Sequence, residues 1–127
     1  MKLISQTKEA WIPEWNGNRN LPKSEQVIVH LSYPTIEQKE NISNIEYIRG
    51  KDGDVTAFKI KYNTEYLLTN HVPKIENLVD EVDGKERAIK NGADLLNSKN
   101  RGVQQLVQKI VARLTSADDI DEDTVKN

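Results

Sequence analysis

Cysteine is absent from this chain of 127 residues. Its absence excludes disulfide bonds, thiolate metal sites and a cysteine nucleophile. Histidine is scarce as well, because only His30 and His71 occur, far apart and without the spacing of metal ligands. We therefore expect no metal centre and no cofactor, and we interpret both histidines as structural or surface residues.

Long apolar runs and a one-sided charge balance are missing too. No apolar run approaches the ~20 residues that span a bilayer, and the start of the chain lacks the apolar stretch of a signal peptide. The 18 basic residues nearly balance the 20 acidic ones, which leaves a net charge of -2. We therefore expect an intracellular protein that binds neither membranes nor nucleic acid, since non-specific nucleic-acid binding needs a basic surface.

The length fits one ordinary domain with an aliphatic core. Two Trp, four Tyr and one Phe are too few to fill a core, and the abundance of Ile and Val favours strands. The pattern divides the domain into an arm or loop at 1–23, a strand–helix–hairpin unit at 24–62, a mainly helical stretch at 63–116 and an acidic tail at 117–127.

The clearest strand runs from Gln26 to Tyr33, where every second residue from Val27 onward is apolar. Pro34 ends this strand. Thr35, with a glutamine three residues later, then has the pattern of a capping box that begins a short helix.

Two more strands, Ile45–Arg49 and Val55–Tyr62, flank a turn at 51–54 that has the composition of a hairpin loop. Alternation in the second strand predicts that Phe58, Ile60 and Tyr62 share one face and that two lysines occupy the other.

The second half of the chain contains the strongest helical pattern. Its apolar residues recur at the spacing of one helix face: Val103, Leu106, Val107, Ile110, Val111 and Leu114. Before it come a third strand-like segment at 74–82 and turn dipeptides at Asp83-Gly84 and Asn91-Gly92. We predict an α+β fold with a small antiparallel sheet of three to five strands, an N-terminal Trp-containing arm and C-terminal amphipathic helices packed on one face.

Trp11 and Trp15 are the candidate partner-binding residues. They lie within five residues of each other in an irregular, proline-containing arm, and tryptophan is enriched at protein interfaces. The alternative is that the arm folds back and both indoles cover the core of their own domain. The pattern is compatible with both interpretations.

No motif predicts catalysis. The chain has neither a nucleophile-elbow pattern nor a phosphate-binding glycine loop, and we interpret its carboxylate clusters, at 37–40 and 80–83, as solvated faces. In the acidic tail, Asp119, Asp121 and Asp123 have the spacing of the first calcium-loop ligands. The glycine and the final glutamate of such a loop are absent, so we interpret the tail as a charged, solubilising segment.

A series of short segments carries a family resemblance. In chain order they are 11–19 (WIPEWNGNR), 33–35 (YPT) with Glu37, 71–78 (HVPKIENL), 83–84 (DG), 91–96 (NGADLL), the amphipathic helix and the acidic end finishing in Lys126-Asn127. This order resembles small proteins from the tail-gene region of long-tailed bacteriophages and prophages, most closely the tail assembly chaperones.

The resemblance implies a non-enzymatic protein of the bacterial host cytoplasm. Such a chaperone binds the tape-measure protein and keeps it soluble until the tail-tube protein polymerises around it. The nearly neutral net charge also permits self-association along the client. A structural virion component, such as a head–tail joining or tail-completion protein, is the alternative, and a phage-encoded inhibitor of a host protein is a weaker third.

Overall fold

The α+β prediction is confirmed. The structure, a computed structural model, describes residues 1–116, and the predicted acidic tail with its aspartates lies outside the described residues. The strands are β1 (Lys8–Trp11), β2 (Ile28–Ser32), β3 (Ser43–Arg49), β4 (Val55–Tyr62), β5 (Lys74–Glu76), β6 (Leu78–Val82) and β7 (Lys85–Ile89). The helices are α1 (Ile36–Ile42), α2 (Thr64–His71), α3 (Gly92–Leu95) and α4 (Arg101–Thr115).

The strands form three small antiparallel sheets, and one of them has three strands, within the predicted range. β1, β2 and β5 make a three-stranded sheet with β2 in the centre, while β3–β4 and β6–β7 are separate hairpins. The β3–β4 hairpin lies between two helices: α1 runs directly into β3, and Asn63 caps α2 immediately after β4. Between β5 and β6 the chain turns at Asn77, which has a φ of 63°.

The core lies between the three-stranded sheet and the helices. Val29 and Leu31 of β2 are fully buried, as their alternation predicts, and α2 packs against β2 and α4. The buried residues are almost all aliphatic: Val27, Val29, Leu31, Ile42, Leu67, Leu68, Val72, Ile75, Leu78, Ile89, Leu95, Val103, Leu106, Ile110 and Leu114.

The predicted stripe of α4 is confirmed as core. Val103, Leu106, Ile110 and Leu114 are buried, and two valines of the same stripe pack at its margin. Although α4 is the longest helix described, no helix within residues 1–116 is long and apolar enough to cross a membrane.

Polar side chains begin the helices, and three of the 12 asparagines have this role. The capping box of α1 is confirmed, because the Thr35 hydroxyl accepts a hydrogen bond from the Gln38 N–H and the Gln38 side chain accepts one from the Thr35 N–H. Asn63, Asn91 and Asn100 immediately precede α2, α3 and α4, and each side chain accepts a hydrogen bond from a backbone N–H of the first turn. Each removes one unsatisfied N–H from a helix start.

The prediction of a mainly helical stretch at 63–116 is incomplete, because β5, β6 and β7 also lie within it. The predicted turn at Asp83-Gly84 is confirmed: both residues have positive φ, 54° and 77°, and they join β6 to β7. The sequence pattern did not predict β7, whose five residues are mostly charged and alternate weakly.

The arm is tied to the core by a buried asparagine. The Asn18 side chain donates hydrogen bonds to the carbonyls of Pro13 and Val27 at 3.1 and 3.0 Å, and its Oδ1 accepts one from the Val27 N–H at 2.7 Å. Asn18 follows a turn in which Asn16 and Gly17 both have positive φ. This side chain thus replaces a strand partner at the start of β2.

Candidate partner-binding surfaces

Trp15 lies against the start of α4. Its indole Nε1 donates a hydrogen bond to the carbonyl of Gly102 at 2.9 Å. The residue is partly buried and packs against the core. A Cβ at Gly102 would lie only 3.1 Å from the Asn16 side-chain amide, so the glycine gives the arm room beside the start of the helix.

Trp11 lies near the other end of the same helix. It ends β1 directly opposite Val29, and the guanidinium of Arg113 is 4.9 Å from the centre of its ring. Gly102 and Arg113 are eleven positions apart, which is about 16 Å along a helix. The structure therefore places the two tryptophans at opposite ends of α4 and does not bring them together into one patch.

Arg113 belongs to a polar cluster that holds the arm on α4. It donates two hydrogen bonds to the Glu9 carboxylate, at 2.6 and 2.8 Å, and the Tyr33 hydroxyl donates a third at 2.9 Å. The hydrogen bonds from Arg113 hold the pKa of Glu9 below its usual value despite partial burial. Burial, followed by the bond to Glu9, raises the pKa of Tyr33 to about 12.

Both indoles thus stabilise the fold, as the alternative interpretation of the arm expects, and each keeps part of its surface exposed. A role of Trp11 and Trp15 in binding a partner stays a prediction.

We expect the Glu9–Arg113 cluster to make stability depend on pH. Because folding lowers the pKa of Glu9, the stabilisation is complete above the unfolded-state pKa and is lost as pH falls through the folded-state pKa, below about pH 5. Glu9→Gln should cost about 2 kcal/mol at neutral pH and remove part of the acid sensitivity. Urea unfolding at several pH values measures both effects.

Glu14→Gln is the matched control, because Glu14 lies in the same arm with its side chain 85% exposed. An equal loss of stability in both variants, or unchanged acid sensitivity in Glu9→Gln, would contradict the role of the cluster.

One face of the β3–β4 hairpin is an uncovered apolar surface. In the register of the two strands Ile45 lies opposite Ile60, and Tyr47 lies opposite Phe58, so the four side chains share a face. We call these four residues the hairpin face. They are 56%, 51%, 58% and 65% exposed, respectively. Within the described part of the chain no element covers them.

The opposite side of the hairpin carries charged residues beside Ile48 and Ala57. The Glu46 carboxylate lies 2.9 Å from the Lys61 ammonium and 3.6 Å from the Lys59 ammonium. The hydrogen bond from Lys61 lowers the pKa of Glu46. The predicted division of the hairpin into an apolar and a lysine-bearing face is confirmed. Alternation in the sequence indicated this division, but it could not indicate that the apolar face stays uncovered.

One predicted solvated acid is buried. Asp80 is only 4% exposed, which corrects the interpretation of 80–83 as a solvated face. Its Oδ2 accepts a hydrogen bond from the Ser98 hydroxyl at 2.6 Å and lies 3.8 Å from the guanidinium of Arg87. Burial follows from the pleat of β6, where Leu78 and Asp80 face inward.

The two histidines lie in separate surroundings. His30 is 2.7 Å from the Glu76 carboxylate on the neighbouring strand, and this hydrogen bond lowers the pKa of Glu76. His71 is buried and its Nδ1 donates to the carbonyl of Ser32 at 2.8 Å. Both positions agree with structural or surface roles.

The remaining concave surfaces are modest. A groove of about 290 Å³ runs beside β1 and β2, lined by Lys8, Glu9, Ala10, His30, Leu31, Ser32, Pro73 and Lys74. Among residues 1–116, no three acidic or histidine side chains converge as a metal site would require.

The chain matches no protein-family model, no curated protein and no solved structure.

Proposed function

We propose that this chain is a non-enzymatic binding protein that covers apolar segments of another protein, and that it acts as a phage tail assembly chaperone for the tape-measure protein. The observation that carries binding is the hairpin face, four large apolar side chains that are each at least half exposed. The phage-tail assignment rests on the sequence resemblance.

The hairpin face suits a client that presents many different apolar segments. It consists of two aliphatic and two aromatic side chains, and only the Tyr47 hydroxyl adds a hydrogen-bonding group to it. Apolar contact is non-directional and grows with buried area, so successive client segments need no common sequence. A tape-measure protein, long and apolar, makes that demand on its chaperone.

The charges of the hairpin support the same function. Glu46, Lys59 and Lys61 pair on the opposite side, so a client can lie on the apolar face without burying these three charges. The paired charges keep the other side hydrated while the client is bound.

A structural virion component, such as a head–tail joining protein, is the second candidate. An uncovered apolar face is also what a subunit of a permanent assembly presents before it assembles. The two functions differ in one outcome, because a virion component remains in purified particles and a chaperone does not.

Co-expression with the tape-measure protein of the same tail-gene region tests the proposal. The wild-type chain should keep this client in the soluble fraction. Phe58→Asp places a carboxylate in the hairpin face and should leave most of the client insoluble. Ala57→Asp is the matched control. Ala57 is next to Phe58 in the same strand, is exposed, and lies on the opposite side of the hairpin.

Circular dichroism and thermal unfolding must show that both variants fold. If folded Phe58→Asp solubilises the client as well as Ala57→Asp does, the hairpin face does not bind it. If the wild-type chain leaves the client insoluble, the chaperone function is wrong. The double variant Trp11→Ala and Trp15→Ala, provided that it folds, measures the contribution of the arm in the same assay.

A further inference from the structure

We propose that, in the absence of a client, a second copy of this chain covers the hairpin face and forms a reversible two-fold dimer. The inference concerns the same surface as the proposed function, and only the displacement of the second copy by a client rests on that function.

The first argument is the stability of the hairpin itself. A two-stranded hairpin in water is marginally stable without a third strand or a packed face. In this chain, Ser43 and Tyr62 pair at the base of the hairpin and are partly buried, but every other residue of β3 and β4 is exposed. Cover on the apolar face would supply the missing packing, and a second copy is present wherever the free chain is.

The second argument is that the face complements itself. One end carries the aliphatic pair Ile45/Ile60, and the other carries the aromatic pair Tyr47/Phe58. A two-fold axis between the pairs lays the aromatic pair of one copy on the aliphatic pair of the other. Each larger side chain then meets a smaller one, and both copies make identical contacts.

The third argument is electrostatic. Two copies of a surface with an excess of one charge sign repel each other, but the charged groups Glu46, Lys59 and Lys61 lie on the side of the hairpin that points away from this interface. The net charge of -2 adds little repulsion between whole chains. Self-association through the four side chains of the hairpin face therefore buries none of these three charges and meets no strong opposing field.

The area of the face explains why the dimer is reversible. Four large side chains that are about half exposed offer roughly 400 Å² per copy, whereas a stable interface buries about 800 Å² per partner. The dimer should therefore dissociate on dilution, and a client that binds the same face should displace the second copy.

Sedimentation velocity of the purified chain without client tests the inference. The average mass should rise from monomer to dimer with concentration. Ile45→Glu should weaken dimerisation at least about tenfold by placing a charge in the face. Ile48→Glu is the matched control, because it makes the same change in the same strand on the opposite side, and its dimerisation should equal that of the wild type.

Amide hydrogen exchange provides a readout that no folding defect can mimic. In the wild-type chain, protection of β3 and β4 should increase with protein concentration, because local opening of the hairpin requires the dimer to dissociate. A wild-type chain that stays monomeric throughout, dimers equally weakened by both substitutions, or concentration-independent protection of the hairpin would each overturn the inference. Because client is absent here, failure of the co-expression assay leaves these results unaffected.

Discussion

Ile110→Asp should unfold the protein or lower its free energy of unfolding by about 4 kcal/mol or more. Ile110 lies in the middle of the α4 stripe with 0% exposure, among the aliphatic side chains of the core. A carboxylate at this position would lose its hydration without gaining a partner. Chemical and thermal unfolding, followed by circular dichroism, measure the loss.

The matched control is Gln108→Asp, which places the same residue two positions away on the exposed side of α4. Its cost should stay within about 1 kcal/mol, the range of helix-propensity and surface effects. A soluble, folded Ile110→Asp variant with the stability of this control would show that the stripe is not core.

Gly92→Ala is expected to destabilise the fold by about 3 kcal/mol, although it adds a single methyl group. A Cβ at this position would overlap the carbonyl group of Leu68 and lie 2.7 Å from the Cβ of Val72. The Gly92 N–H also donates a hydrogen bond to the Val72 carbonyl at 2.8 Å, so α3 cannot move away from α2 without breaking it. Equilibrium unfolding in urea measures the loss.

Gly102→Ala serves as the control, because it makes the same change at a helical glycine whose nearest neighbours are side-chain atoms, at 3.1 and 3.2 Å, instead of backbone. Those side chains can shift, so the loss should be clearly smaller than at Gly92. Equal losses at the two glycines would mean that the α2–α3 contact is less tight than the structure describes.

The sequence by itself determined the local structure of this protein. The stripe of α4, the capping box at Thr35 and the turn at Asp83-Gly84 depend on residues close together in the chain. The division of the β3–β4 hairpin into an apolar and a lysine-bearing face is equally local, because neighbouring side chains of a strand point to opposite sides. Periodicity and cap chemistry act over such short distances, so the sequence pattern predicts them.

Only the tertiary structure decided which of these surfaces are covered. It separates Trp11 from Trp15 along α4, buries Asp80 and Asn18, and leaves the hairpin face exposed. It also divides the strands among three sheets. These outcomes depend on contacts between residues far apart in the chain, such as Glu9 with Arg113. The pattern within one segment shows whether a face is apolar. Whether a distant segment covers that face is decided by the packing of the whole chain, and the pattern does not contain that information.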